Sequence, residues 1–271
     1  MKNRRYLSGP YLLWAAAFII IPLVLIVYYG MTDSEGAFTW FNIVQITTPE
    51  NLKALGLAFL LSLVSTVICL ILAYPLAMIL TKSEISKGSF VMLIFILPMW
   101  MNFLLRTIAW QSLLEKTGVI NTFLSYLHLP TLNIINTPGA IILGMIYNFL
   151  PFMILPLYNV LDRMDKDVLN AARDLGASPF KTFTKVIWPL SLPGVISGIT
   201  MVFVPALTTF VISDLLGGSK ILLICNVIEQ EFKMGSNWNV GSGLSLVLMV
   251  FIVISMLFVQ KYDKNGEGGM F

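Results

Sequence analysis

Asn170-Ala171-Ala172-Arg173-Asp174-Leu175-Gly176, followed after nine residues by Val186-Ile187-Trp188-Pro189, combines residue types and spacings suited to work on a partner. The chemistry is docking rather than bond making, because the sequence offers no convincing nucleophile-base constellation. Met164, Val168, Ala171, Ala172 and Leu175 recur at helical spacing and share one face. Gly176 suits the left-handed residue that follows a helix C-terminus. Ser178-Pro179 then restarts the chain, with serine as N-cap and proline at the first helical position. Phe180, Phe183, Val186, Ile187 and Leu190 give the second helix its apolar stripe. A basic amphipathic hairpin can simply lie on a membrane. Here Arg163, Lys166 and Arg173 stand against Asp162, Asp165, Asp167 and Asp174, a near balance that suits a protein surface better than anionic lipid. The small Ala171-Ala172 pair beside Gly176 also permits close approach.

Asp214 and Arg106 are ionisable groups in apolar surroundings, where charge is costly and usually faces a cavity or a partner. Asp214 sits near the end of an expected span, so reaching interfacial water or capping a helix is the competing role. Asn102 and Arg106, four residues apart, share a helix face expected to turn inward, whereas Trp100 points elsewhere. Trp110 fits an interfacial aromatic belt. Tyr147 and Tyr158 either line a path or pack between helices. Glu229 and Glu231, with Lys220, Lys233 and Trp238, read as a solvated loop, the alternative being a short re-entrant or surface helix. His128, beside Pro130, reads as a solvated loop histidine. Cys69 and Cys225 fall in different environments, which argues against a disulfide, and no Cys/His cluster has metal-site spacing.

These groups must be positioned inside lipid. Of the 271 residues 57% are hydrophobic and 11% charged, with mean hydropathy +0.85, too little charge to cover a soluble surface. The pattern predicts an all-α polytopic membrane protein with six spans, near Tyr11–Gly30, Gly56–Leu80, Phe90–Trp110, Gly139–Val160, Gly194–Leu216 and Gly243–Gln260. Residues 1–271 read as one transmembrane domain, with 162–192 a cytoplasmic loop within it. The first apolar run is too long for a signal peptide and lacks a convincing cleavage site, so it reads as a retained helix. With the N-terminus inside, twelve Lys and Arg fall on the cytoplasmic side and four outside, Arg106 set apart, which places both termini in the cytoplasm. The net charge of +3 follows from that bias and gives no reason to expect nucleic acid. No G-x-x-x-x-G-K-[ST] phosphate loop occurs.

The segment Asn170 to Gly176, Ser178-Pro179, Trp188-Pro189-Leu190 and Pro193-Gly194 resembles the coupling loop of type I ABC importer permeases. Asn170, Val186 and Trp188 depart from the family's glutamate, isoleucine and leucine, and the loss of the glutamate removes one charged contact. Leu97-Pro98-Met99-Trp100-Met101-Asn102 with Arg106, Leu150-Pro151-Phe152-Met153, Pro156-Leu157-Tyr158, Pro205, Ser213 to Gly218, Asn226-Val227-Ile228 and Asn237-Trp238 are similar to the polyamine branch. The resemblance implies a permease subunit of the bacterial cytoplasmic membrane that catalyses no reaction itself. ATP and Mg would be bound by two partner ATP-binding subunits, docked at Asn170, Ala171, Ala172, Arg173, Asp174 and Gly176. A second, related permease subunit and an extracytoplasmic polyamine-binding protein would complete the complex. Spermidine or putrescine would be carried. A polycation needs carboxylates, aromatic faces and apolar walls, which makes Asp214, Trp100, Asn102 and Tyr147 candidates for the path and Arg106 a candidate gate or ion pair. Another solute, or an ion-coupled transporter, is the alternative. The latter would call for inverted repeats and several intramembrane ionisable groups, beyond Asp214 and Arg106.

Overall fold

A computed structural model describes residues 9–82, 97–233 and 237–261. Among these residues the chain is helical almost throughout, with no strand beyond an isolated bridge between Thr32 and Phe38. The helices are α1 Pro10–Gly30, α2 Phe41–Val44, α3 Pro49–Lys82, α4 Phe103–Leu114, α5 Val119–Tyr126 and α6 Pro138–Asp162. There follow α7 Lys166–Asp174, α8 Pro179–Thr208, α9 Val211–Gly217, α10 Ile224–Lys233 and α11 Trp238–Lys261. Five of them, α1, α3, α6, α8 and α11, are long and apolar enough to cross a membrane.

Two helices widen into a π turn, α1 at Ala16–Ile20 and α8 at Phe183–Ile187. In each the π turn ends two residues before a proline, Pro22 and Pro189. A proline donates no backbone hydrogen bond and its ring crowds the carbonyl four residues earlier. Ile21 and Trp188, just ahead of the prolines, bond instead to the carbonyls five residues back, Ala16 and Phe183. The helix therefore runs through the proline with one widened turn rather than breaking.

Contacts divide the chain into two compact units, Met1–Gly56 with Leu223–Ile254, and Leu57–Leu222 with Ser255–Phe271. In the first, a tight turn follows α1: Asp33 Oδ1 accepts from the backbone N–H groups of Glu35 and Ala37 at 2.9 and 2.8 Å. Buried Asn42 and the α11 residue Asn239 both donate to the Thr32 carbonyl, at 2.8 and 2.5 Å. Glu229 and Glu231 lie on α10, so the expected solvated loop is corrected to the short helix that was its alternative. Ile224 and Asn226 in its first turn are buried, while Lys233 bridges back to Glu229 at 2.5 Å. Burial pushes the Cys225 thiol of this helix up to about 11.

The second unit holds every candidate site residue. Its core lies between α6 and α8, where Met153, Ile154, Leu157, Val195 and Val202 are buried. Gly194 makes the approach possible: a Cβ there would stand 2.9 Å from the Pro156 carbonyl oxygen and 3.0 Å from Val160 Cγ2. In lipid such close contact replaces the hydrophobic drive that holds helices together in water.

Two expected spans are built differently. For Phe90–Trp110, residues 90–96 lie outside the described residues, and the remainder is a 3-10 turn, Leu97–Trp100, followed by a new helix starting at Phe103. Gly194–Leu216 is not continuous either. α8 ends at Thr208, Thr209 is extended, and α9 starts afresh at Val211. Pro205 weakens the last turns of α8, and Thr208 Oγ1 donates back to the Val204 carbonyl at 3.0 Å.

Candidate functional site

The candidate docking segment is fixed by local chemistry at both ends of α7. Asp165 caps the N-terminus and accepts from the Asp167 N–H at 2.9 Å. Asp167 in the first turn and Arg173 in the last match the helix dipole. Gly176 closes the helix at φ +76°, with its own N–H bonded to the Arg173 carbonyl at 2.8 Å and Ala177 N–H to Ala172 at 3.0 Å. This is the paired reversal that favours glycine at the left-handed position. α7 buries none of its residues. Asn170, Ala171, Arg173, Asp174 and Gly176 are exposed and Ala172 half-buried, and Leu175 beyond them is 88% exposed. The structure brings these six residues together on one short surface helix and its cap.

The second limb is not a separate short helix. Ser178 caps it as expected, its Oγ accepting from Lys181 N–H at 3.4 Å. From Pro179 it then runs without a break into the span, 30 helical residues in all. At 1.5 Å per residue that is about 45 Å, against about 30 Å of hydrocarbon, so the limb is the overhang of a transmembrane helix. Just inside lies a buried contact absent from the sequence motif. Tyr74 of α3 hydrogen-bonds Ser191 at 2.7 Å, and its ring meets Phe183 and Trp188 at 5.5 and 5.4 Å between centroids.

The candidate path residues divide into two groups. Arg106 on α4 is buried, 7% exposed, with its guanidinium 5.9 Å from the centre of the Tyr147 ring. Tyr147 in turn meets Trp110 edge-on at 5.1 Å. The structure thus gathers Arg106, Trp110 and Tyr147, from α4 and α6, into one cation-aromatic cluster. Asn102 does not join it. Because the helix starts at Phe103, Asn102 is its exposed N-cap and accepts from the N–H groups of Leu104 and Leu105 at 2.9 and 3.3 Å. The inward face shared with Arg106 is corrected accordingly. Trp100, 75% exposed, stands apart in the turn before it, and Asp214 is exposed in the first turn of α9.

Sequence reasoning missed Asn148. It is 1% exposed in mid-span, donates to the Gly144 carbonyl at 2.9 Å, and leaves Oδ1 without a hydrogen-bond partner among the described residues. An amide in the middle of the apolar run of α6 was the available signal, since polar side chains in a span are expensive. His128 is exposed at φ +56°, ending α5 as a loop residue. No group of His, Cys, Asp and Glu able to hold a metal occurs among the described residues.

Residues 38–265 match the family of binding-protein-dependent transport system inner membrane components. The chain belongs to that family. It is 36% identical over 260 residues to the spermidine/putrescine transport system permease protein PotB of Haemophilus influenzae, covering 93% of this chain and 91% of that one. Against PotB of Escherichia coli the identity is 35%, covering 93% and 94%. The inner membrane ABC transporter permease protein YdcU of Escherichia coli is 30% identical, covering 87% and 85%. The fold matches a chain of a bacterial ABC transporter involved in the import of the acidic polysaccharide alginate, with TM-score 0.82 at 15% identity, covering 97% of this chain and 95% of that one. This protein is therefore a permease subunit, a multi-pass inner membrane component of a transport system and not an enzyme.

Proposed function

We propose that this permease carries polyamines, spermidine or putrescine, inward across the cell membrane, using ATP hydrolysed on two partner subunits that also hold Mg. The observation that carries the reading is likeness to the PotB permeases at 35–36% identity over nearly the whole of both chains. A second, related permease and an extracytoplasmic polyamine-binding protein complete the transporter, and both termini lie in the cytoplasm, in keeping with the Lys/Arg bias. The whole chain acts as one permease domain, with residues 162–192 as its coupling loop.

The ATP-binding subunits dock on Asn170, Ala171, Ala172, Arg173, Asp174 and Gly176. An exposed α7 with a rigid C-terminal cap supports this, because a partner can grip it at no cost to the core. Arg173 and Asp174 offer charge of both signs, and Asn170 supplies a neutral amide where the family's glutamate would stand. ATP binding draws the docked segments together and opens the path outward; hydrolysis returns it. That cycle requires unequal affinity of ATP for the two states, not merely tight binding.

For the cargo, Asp214 attracts ammonium groups near the outer end. Trp100 and Tyr147 offer aromatic faces to them, and Asn102 an amide at the start of α4. Arg106 repels a bare polycation and serves as the gate, its charge held over Tyr147. Labelled spermidine uptake in cells lacking this chain, with and without its restoration and with excess putrescine as competitor, tests the assignment. Restored uptake that putrescine suppresses is expected. Unchanged uptake, with the chain present in the membrane, would remove polyamines as the cargo and leave the permease architecture standing.

A further inference from the structure

Tyr74 stands one residue ahead of Pro75 in α3, and its buried hydroxyl lies 2.7 Å from Ser191 Oγ. Ser191 Oγ donates to the Trp188 carbonyl at 2.9 Å, so in the Tyr74–Ser191 pair the tyrosine is the donor. The Tyr74 ring is edge-on to Phe183, at 84°, and tilted against Trp188, at 38°. Phe183 and Trp188 contact each other at 6.4 Å. Three rings and two linked hydrogen bonds thus join α3 to the beginning of α8, at the junction between docking segment and span.

Each partner belongs to a weakened stretch of its own helix. Pro75 cannot close a bond on the Ile71 carbonyl. On the other side, Phe183 opens the π turn, Trp188 follows it, and Ser191 lies between Pro189 and Pro193. Helices bend at prolines and π turns rather than elsewhere. A contact between two rigid stretches would only hold them together. A contact between two hinges makes the angle of one depend on the angle of the other.

We propose that Tyr74 is a positioning residue that passes movement of the docked segment 166–187 into the second span, α3. The proposal rests on the docking reading of Asn170 to Gly176. Its observable is the coupling between ATP hydrolysis and movement, not the amount of folded protein. Tyr74→Phe removes the hydroxyl and keeps the ring, so the aromatic packing persists.

The test uses the complete complex, with its partner subunits and binding protein, in proteoliposomes with labelled spermidine as probe. For the native chain, Tyr74→Phe, Ser191→Ala and the double variant, spermidine moved per ATP hydrolysed is measured. Tyr74→Phe is expected to keep hydrolysing ATP while transport per ATP falls about fivefold or more, and the double variant to match the worse single one. An unchanged ratio, or transport and hydrolysis falling together with the amount of assembled complex, would overturn the proposal. A cargo-independent measurement accompanies it. A spin label on Ile79→Cys, exposed on α3, should change mobility on ATP addition in the native background and stay still in Tyr74→Phe. The same response in both would overturn the proposal whatever the cargo. Cross-linking of Arg173→Cys to the ATP-binding subunit separates the two levels. If the cross-link fails, docking and the Tyr74 link fall together. If it forms and the label and ratio ignore Tyr74→Phe, only the link falls.

Discussion

The proposed docking helix α7 and the Arg106 cluster belong to one compact unit and are made in opposite ways. α7 buries nothing, and its geometry is set within about ten residues by Asp165 at one end and Gly176 at the other. In the cluster Arg106 is buried, Trp110 half-buried and Tyr147 37% exposed, and its members come from two separate helices, Arg106 and Trp110 on α4 and Tyr147 on α6. A surface meant for a partner can be specified by capping alone, because the partner supplies the burial. A buried charge needs a tertiary contact to tolerate desolvation, here the face of an aromatic ring. The first should fail through backbone geometry, the second through chemistry.

The largest effect expected from that contrast is at Gly176. Gly176→Val meets open space, so the variant pays only for a side chain at φ +76°, about 1–2 kcal/mol. That suffices to unwind the cap of a helix with no core behind it. Uptake should fall to background and the ATP-binding subunit should no longer co-purify, while the permease still accumulates in the membrane. Normal co-purification would break the idea that capping alone shapes the docking surface.

At Arg106 the prediction concerns side-chain chemistry. Arg106→Ala should lower or deregulate uptake roughly tenfold, and Arg106→Lys should recover only part of it, because an ammonium lacks the planar stacking of guanidinium. Uptake at the native rate in both variants would dismiss the cluster as packing. Tyr147→Phe, which keeps the ring face, should behave as the native chain. A smaller effect is expected at Asp214, exposed at the end of the path. Asp214→Asn should raise KM for spermidine about threefold, with kcat unchanged and the difference shrinking at high salt. The smallest concerns Asn102. Asn102→Ala should leave uptake intact but speed amide exchange in the first turn of α4, since losing an N-cap costs about 1 kcal/mol locally.

The same contrast marks what could be read from sequence. Ser178-Pro179, the Ala171-Ala172 face and Gly176 announce their own conformations, and the structure places each of them so. Long apolar runs located α1, α3, α6 and α11, although α3 starts at Pro49 and α11 at Trp238, ahead of the expected Gly56 and Gly243, because polar helical turns precede the apolar run. The segments that were not legible are those whose ends depend on neighbours. Asn102 reads as an inward residue in an apolar run, and only the interruption of the helix at Met101–Asn102 makes it a cap. The fifth expected span runs through Thr209 because nothing in its hydropathy marks the break. Pro189 lies within the stripe expected for the second short helix, and the π turn before it carries that helix through into the span. Glu229 and Glu231 read as solvated because their charge masks a helix whose first turn buries Ile224 and Asn226. The Tyr74–Ser191 pair, 117 residues apart, has no local signature at all.

The central claim is that this permease moves polyamines by energy delivered at α7 from outside the chain. Proteoliposomes holding the chain with its partner subunits test it directly, with labelled spermidine and binding protein added. One set receives ATP and no ion gradient, the other a proton or sodium gradient and no ATP. The account predicts uptake only in the first set, abolished by Gly176→Val. Spermidine uptake driven by the gradient without ATP would contradict it.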